Sequence, residues 1–105
     1  MHGLILHFKT AKFVDAKKAT LIQSVSEVLA IAEELGNMIH GETYSLIEAK
    51  QTSQERMRVL YQRTFRSGGV IVKAAFYDAL KKHHPNLVEE LGRSFVLVKD
   101  IKHSS

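Results

Sequence analysis

The stretch Val70 to Leu91, VIVKAAFYDALKKHHPNLVEEL, predicts one amphipathic helix, an abrupt end and a second, shorter helix. Three- and four-residue spacing places on one helical face Val72, Phe76, Ala79, Leu80 and His83. Pro85 cannot continue that helix, because its ring removes a backbone donor and clashes with the preceding turn. We expect His84 at the cap of the second helix, Gly92 at its end, and on its inner face Leu87, Val88 and Leu91. The corner contains no obvious catalytic group, which favours a packing or binding module.

Composition sets the class of molecule. The chain has 105 residues, 45% of them hydrophobic and 25% charged, as in one ordinary globular domain. It has no cysteine, which excludes a disulfide framework and a thiolate metal site. The apolar run Leu4-Ile5-Leu6 is too short for a secretory signal core or a membrane span. We therefore expect a cytoplasmic protein without a membrane partner.

The first half of the chain predicts one long helix after a loose lead-in over residues 1–12. Asp15 is a plausible N-cap, and Gly36-Asn37 is a good stop signal. Between them an apolar stripe at helical spacing contains Leu21, Ile22, Val25, Val28, Leu29, Ala32 and Leu35. Hydroxyls can bond back to the preceding turn, so Ser24 and Ser26 are expected to bend this helix.

Three further helical segments are predicted around the opening stretch. A short helix covers Glu42 to Lys50, and a capping box, Thr52 with Glu55, opens the next. That next helix is expected to end at Ser67-Gly68-Gly69 and to bury Met57, Leu60, Tyr61 and Phe65. A weaker last helix would use Phe95, Val98 and Ile101. Since no alternating strand pattern is present, the sequence predicts an all-α bundle of short antiparallel helices.

Patterns for catalysis, metals and cofactors are weak. His83 and His84 could be ligands together with His103, but adjacent histidines point to different faces of a helix. One partly buried histidine and one helix cap are the favoured interpretation. Gly68-Gly69 lacks the lysine and hydroxyl residue of a phosphate loop and is predicted to be a turn. We therefore expect no catalytic residue, no metal and no cofactor.

Charged residues suggest two separate binding faces. The net charge is +4, from 15 basic and 11 acidic residues. A row of arginines follows the capping box, namely Arg56, Arg58, Arg63 and Arg66, and an acidic cluster lies upstream, namely Glu27, Glu33 and Glu34. A domain with a basic face and an acidic face can stack head to tail on copies of itself and form filaments. The arginine row could instead grip nucleic-acid phosphates, although a solvated helix face is favoured because no exposed aromatics interleave it.

Several motifs resemble those of caspase recruitment domains (CARDs), most closely the domains of the inflammasome adaptor and of the NLR sensors. The matching residues extend from Phe13 to Leu91. They include Phe13-Val14-Asp15, Leu21-Ile22, Tyr44, Thr52, Met57-Arg58-x-Leu60-Tyr61, Lys73, Tyr77-x-Ala79-Leu80-Lys81, His84-Pro85-x-Leu87 and Glu90-Leu91. The resemblance implies a six-helix death-fold bundle with a bent first helix. It assigns residues 13–101 to the domain and 102–105 to a frayed end.

The resemblance also implies a function without catalysis. Such domains bind other CARDs, here an inflammatory caspase prodomain, an inflammasome adaptor or an NLR sensor, and often form filaments that recruit caspases. In the charged contact that the resemblance implies, Lys18 and Arg58 lie on the basic side and Glu33 lies on the acidic side. Lys17, Glu34 and Glu42 are their neighbours. The chain departs from the adaptor at Ser67-Gly68-Gly69, where the adaptor has exposed aromatics, and at Val72 and Ala74, which replace a cysteine and an aspartate. A basic nucleic-acid-binding module and an inert structural bundle are the alternatives.

Overall fold

Regular structure is helical throughout residues 2–93, the part of the chain that the computed structural model describes, with side chains described from residue 8 onward. The helices are α1 His2–Ala16, α2 Lys18–Ser24, α3 Val28–Leu35, α4 Gly41–Ala49, α5 Ser53–Val59, α6 Arg66–His83 and α7 over 85–93. A π-helical segment, Leu60–Phe65, continues α5 into α6, and a 3-10 turn, Gly36–Met38, follows α3. Lys17 alone separates α1 from α2, so these two form the bent first helix of a six-helix death-fold bundle. The predicted all-α class is confirmed.

Helix α6 lies at the centre of the core and buries Val72, Phe76, Ala79 and Leu80 as the spacing predicts, whereas His83 is half-buried. It also buries Ala74. Phe76 is fully buried and meets the ring of Phe65 edge-on, with 4.8 Å between the ring centroids. Such aromatic contacts add to the free energy that burial of apolar surface supplies. The opening stretch of sequence is therefore the structural centre of the bundle.

The break predicted at Ser67-Gly68-Gly69 is a kink within α6 and does not end the preceding helix, whereas the predicted end after His83 is present. Gly69 turns the chain with a φ of 66°, a conformation that costs glycine little because it has no Cβ. Pro85 begins α7 directly after His84, as the sequence predicts. The prediction that Gly92 ends α7 is wrong, because the helix continues through Arg93 and a glycine within a helix costs only about 1 kcal/mol relative to alanine. Phe95, Val98 and Ile101 lie outside the described residues.

The prediction of a loose lead-in over residues 1–12 is wrong from His2 onward, because α1 begins there. Asp15 therefore lies in the last turn of α1 and is not an N-cap. Long-range contacts with α6 hold this helix: the Phe13 and Tyr77 rings meet edge-on at 5.3 Å, and Asp15 Oδ1 lies 2.8 Å from Lys73 Nζ. Local periodicity carries no signal of these contacts. The assignment of the domain to residues 13–101 stays a prediction.

The single helix predicted across residues 15–35 is interrupted between α2 and α3. The bend expected at Ser24 and Ser26 is a complete break, in which Glu27 adopts a left-handed φ of 55°. His84 closes this break from the far end of α6, since its Nε2 lies 2.9 Å from the Ser26 carbonyl oxygen. The tautomer with a proton on Nε2 donates to this oxygen, whereas the tautomer without it accepts from the Ser26 amide at 3.3 Å. A side chain distant in sequence thus stabilises the break.

The elements between α3 and the π-helical segment largely form where the sequence predicts them. Gly36 ends α3 with a positive φ, and Glu42 lies in the first turn of α4. The Thr52 hydroxyl oxygen accepts from the Glu55 amide at 3.1 Å, which is one of the two predicted capping-box bonds. In place of the second, the Thr52 hydroxyl donates to the Glu55 carboxylate at 3.0 Å. The start of α5 is capped as predicted, with a different reciprocal contact.

Candidate protein interaction faces

The predicted basic residues Lys18 and Arg58 lie on opposite sides of one shallow groove. Helix α2 supplies Lys18 and helix α5 supplies Arg58, and both side chains are exposed. Ile22, Tyr61 and Gln62 complete the lining of the groove. Lys17 is half-buried at the α1–α2 junction, where its amide donates to the Phe13 carbonyl at 3.0 Å. The structure therefore brings together two of the three predicted cations, which we call the basic face, and places Lys17 beside them in the backbone turn.

Tyr61 forms the floor of the basic face. The Lys18 Nζ lies 5.6 Å from the centroid of the Tyr61 ring, within the distance of a cation–π interaction. The Tyr61 hydroxyl donates to the Val14 carbonyl at 2.6 Å. Burial, with a smaller contribution from the Asp15 carboxylate, raises the pKa of Tyr61, so the hydroxyl keeps its proton at neutral pH. The sequence predicted Tyr61 only as a core residue.

A second groove adjoins the basic face between α4 and α5. It shares Arg58 and Gln62 with the first groove and adds Leu46, Lys50, Glu55, Val59 and Arg63. Arg58 thus stands on the ridge between two grooves. Arg63 belongs to the predicted arginine row, whereas Lys50 was predicted only as the last residue of a short helix and lies directly after α4. Arg56 is turned inward, donating from Nε to the Lys50 carbonyl at 3.1 Å, so the predicted row keeps Arg58, Arg63 and Arg66 exposed.

The predicted acidic residues divide into two groups. Glu33 lies near the end of α3 and accepts a hydrogen bond from the Tyr44 hydroxyl at 3.3 Å. Burial first, and then the charge of Glu33, raises the pKa of Tyr44. This bond ties the end of α3 to α4, the helix that exposes Glu42 in its first turn. We call Glu33 and Glu42 the acidic face.

Glu34 is engaged within the domain by the C-terminal end of α6. Its Oε1 lies 2.8 Å from Lys82 Nζ, and its Oε2 lies 3.3 Å from His83 Nε2. The hydrogen bond from Lys82, assisted by the charges of Lys82 and His83, lowers the pKa of Glu34. The same contact raises the pKa of Lys82. A partner would have to compete with these contacts to reach Glu34, whereas Glu33 bears a single hydrogen bond to a neutral hydroxyl.

The two neighbouring histidines serve different contacts. His83 is half-buried, with Nδ1 3.6 Å from Glu27 Oε2, while His84 meets the backbone of Ser26. Within residues 2–93, no three histidine, cysteine, aspartate or glutamate side chains are grouped in a way that could hold a metal ion.

No helix in this same part of the chain has both the length and the apolar character needed to cross a bilayer.

Comparison with known proteins gives relatives of much greater length. No protein-family model matches the sequence. Over 80 residues the chain is 35% identical to NACHT, LRR and PYD domains-containing protein 1b allele 3 of Mus musculus and 36% identical to protein 1a allele 1 of Rattus norvegicus. Each match covers 75% of this chain, but the chain spans only 7% of the mouse protein and 6% of the rat protein. Over three quarters of its length, the chain is therefore similar to a domain-sized part of these multidomain proteins.

Proposed function

We propose that this death-fold bundle is a caspase recruitment domain that binds other such domains and copies of itself. The observation that carries the proposal is the separation of the charges: Lys18 and Arg58 flank one groove of α2 and α5, and Glu33 with Glu42 marks α3 and α4. The similarity to proteins named for NACHT, LRR and PYD domains supports a role in innate immune signalling. Its partners are then an inflammatory caspase prodomain, an inflammasome adaptor or an NLR sensor, met in the cytoplasm.

The contact is proposed to be head to tail. The basic face of one copy receives the acidic face of the next, so the first copy keeps its acidic face unused and the second keeps its basic face unused. A contact of this kind repeats unless its rotation closes a ring, and it therefore builds helical filaments. Arg58 can bind a carboxylate through two parallel hydrogen bonds, and Lys18 supplies a point charge beside it.

Charge complementarity predicts how such an assembly responds to salt. Exposed charges steer association and set its register, and screening weakens them once the Debye length falls below the separation of the charges. The apolar floor of the groove, Ile22 and the Tyr61 ring, excludes part of the water when a partner binds. We therefore expect the rate of assembly to fall steeply with ionic strength. Some affinity should remain at high salt because of the apolar contact.

The first experiment reverses one charge of the basic face. Lys18→Glu is expected to abolish self-association, measured by light scattering after size-exclusion chromatography, and to leave the helical circular dichroism spectrum unchanged. Lys9→Glu makes the same charge change at an exposed position of α1 outside the basic face and is expected to assemble normally. Normal assembly of Lys18→Glu would overturn the assignment of the basic face.

A second experiment identifies the partner class. Immobilised wild-type and Lys18→Glu proteins are compared against purified CARDs of an inflammatory caspase, the inflammasome adaptor and an NLR sensor. We expect at least one of them to bind the wild-type protein and to be lost with Lys18→Glu. The absence of any binding, including to the domain itself, would reject homotypic recognition.

The alternative of a nucleic-acid-binding module rests on the exposed Arg58, Arg63 and Arg66 together with Lys50. It predicts a gel shift with duplex DNA or RNA whose affinity falls steeply with salt. No shift at low salt would remove it.

A further inference from the structure

We infer that Tyr61 is the positioning residue of the basic face, holding Lys18 in place beside Arg58. This inference rests on the proposed function for its consequence in binding, whereas the positioning itself can be measured without any partner. Lys18 and Arg58 carry like charges on one narrow groove, and a lysine side chain has large rotational freedom. A further contact must offset the repulsion between the two charges and the loss of lysine side-chain entropy if the groove is to present the two cations together.

The ring of Tyr61 supplies the first restraint. The Lys18 ammonium lies over the ring at 5.6 Å from its centroid, where the negative face of the aromatic system attracts a cation. The ring itself is fixed, because it is only 8% exposed and packs edge-on against Phe65 with centroids 4.8 Å apart. A flexible cation is thus held against a rigid surface.

The hydroxyl of Tyr61 supplies the second restraint, at the backbone. It donates to the carbonyl oxygen of Val14, in the last turn of α1. In an unbroken helix the carbonyl of residue 14 would accept from the amide of residue 18. Tyr61 therefore binds the α1–α2 junction from which Lys18 projects. The same side chain restrains both the backbone next to Lys18 and the ammonium group of Lys18.

Tyr61 also relates Lys18 to Arg58. Residues three apart on a helix are neighbours on its surface, and Tyr61 follows Arg58 by three positions. One helix thus carries the arginine and the aromatic platform that holds the lysine of another helix. The result is a prearranged pair of cations suited to a carboxylate-bearing surface, which would lose less side-chain entropy on binding than two unrestrained cations.

The test compares Tyr61→Leu, which removes the ring, with Tyr61→Phe, which removes only the hydroxyl, and with Phe76→Leu as a control for loss of a buried aromatic. The direct measurement is the ring-current shift of the Lys18 side-chain methylene protons by NMR, referenced to the exposed Lys9. We expect an upfield shift in the wild-type protein, in Tyr61→Phe and in Phe76→Leu, and its loss in Tyr61→Leu. Tyr61→Phe is expected to accelerate amide exchange at Lys17 and Lys18, because the junction loses its hydroxyl contact.

Binding to a partner CARD, or to the domain itself, gives the second measurement. Tyr61→Leu is expected to weaken it about two- to five-fold, the size of an exposed cation–π contact. This loss should disappear in the Lys18→Ala background, while any effect of Phe76→Leu should not depend on Lys18. A wild-type Lys18 shift equal to that of Lys9, or a shift that survives in Tyr61→Leu, would overturn the inference even if binding behaves as proposed. If instead the shift behaves as expected while Lys18→Glu binds normally, the positioning stands and the proposed binding face fails.

Discussion

Phe76 shows how far single core residues can be predicted. Helical spacing places it on the inner face of α6, and the structure buries it completely against Phe65. The same holds for Met57 and Leu60, because three- and four-residue periodicity depends only on neighbouring positions. Tyr61 illustrates the limit: its bond to Val14 joins residues 47 positions apart, and no local pattern contains it.

Replacing Phe76 tests the assignment of the core. Phe76→Ala is expected to lower the free energy of unfolding by about 3–5 kcal/mol, since it removes a buried ring and leaves a cavity. Ile71, on the same helix, is 54% exposed, and Ile71→Ala should change stability by no more than about 0.5 kcal/mol. Urea denaturation followed by circular dichroism measures both. Equal losses for the two variants would contradict the described packing.

The Glu34–Lys82 pair gives a pH-dependent prediction. The pKa of Glu34 is lowered from its ordinary value of 4.5, so its contribution to stability is complete above that value and is lost as pH falls through the lowered pKa. We expect Lys82→Gln to be less stable than the wild-type protein at neutral pH and the difference to vanish once Glu34 is protonated. Urea denaturation across the acidic range checks this, and Lys81→Gln, at the neighbouring exposed lysine, serves as the control. A difference that persists at the lowest pH would show that Lys82 acts through another contact.

At the scale of the elements, stop signals were easier to predict than starting points. Gly36 ends α3, Gly69 kinks α6 and Pro85 begins α7 at the positions where the sequence predicts breaks, because each residue has a backbone property that acts locally. The sequence predicted neither the start of α1 at His2 nor a complete break between α2 and α3. Contacts distant in sequence act at both places, since Lys73 of α6 pairs with Asp15 near the end of α1 and His84, directly after α6, closes the break.

Glu27 provides a test of that break. A left-handed φ of 55° disfavours every residue with a Cβ, so Glu27→Gly is expected to be more stable than Glu27→Ala by roughly 1 kcal/mol. Both variants remove the carboxylate near His83, which leaves the backbone as the difference. Glu33, inside α3, is the matched control, where alanine should be the more stable residue. Thermal unfolding measures all four variants, and the same order at both positions would contradict the left-handed conformation.

At the scale of the whole molecule, the bundle determines which of the predicted charged residues lie together. Lys18 and Arg58 meet across a groove although they come from different helices, and this juxtaposition follows from the packing of α2 on α5. Glu34 was predicted beside Glu33, yet adjacent residues on a helix point in different directions, and α6 engages Glu34. The identity of the charged residues could be predicted, whereas their grouping required the bundle.

Mixing two reversed variants tests the head-to-tail contact most directly. Lys18→Glu keeps the acidic face and lacks an intact basic face, while Glu33→Lys has the opposite defect. Each variant alone should be monomeric by analytical ultracentrifugation, with a native helical spectrum. An equimolar mixture should recover association, at least as 1:1 complexes, because the intact basic face of one variant meets the intact acidic face of the other. A mixture that stays monomeric where the wild-type protein assembles, or single variants that assemble as the wild type does, would contradict the account.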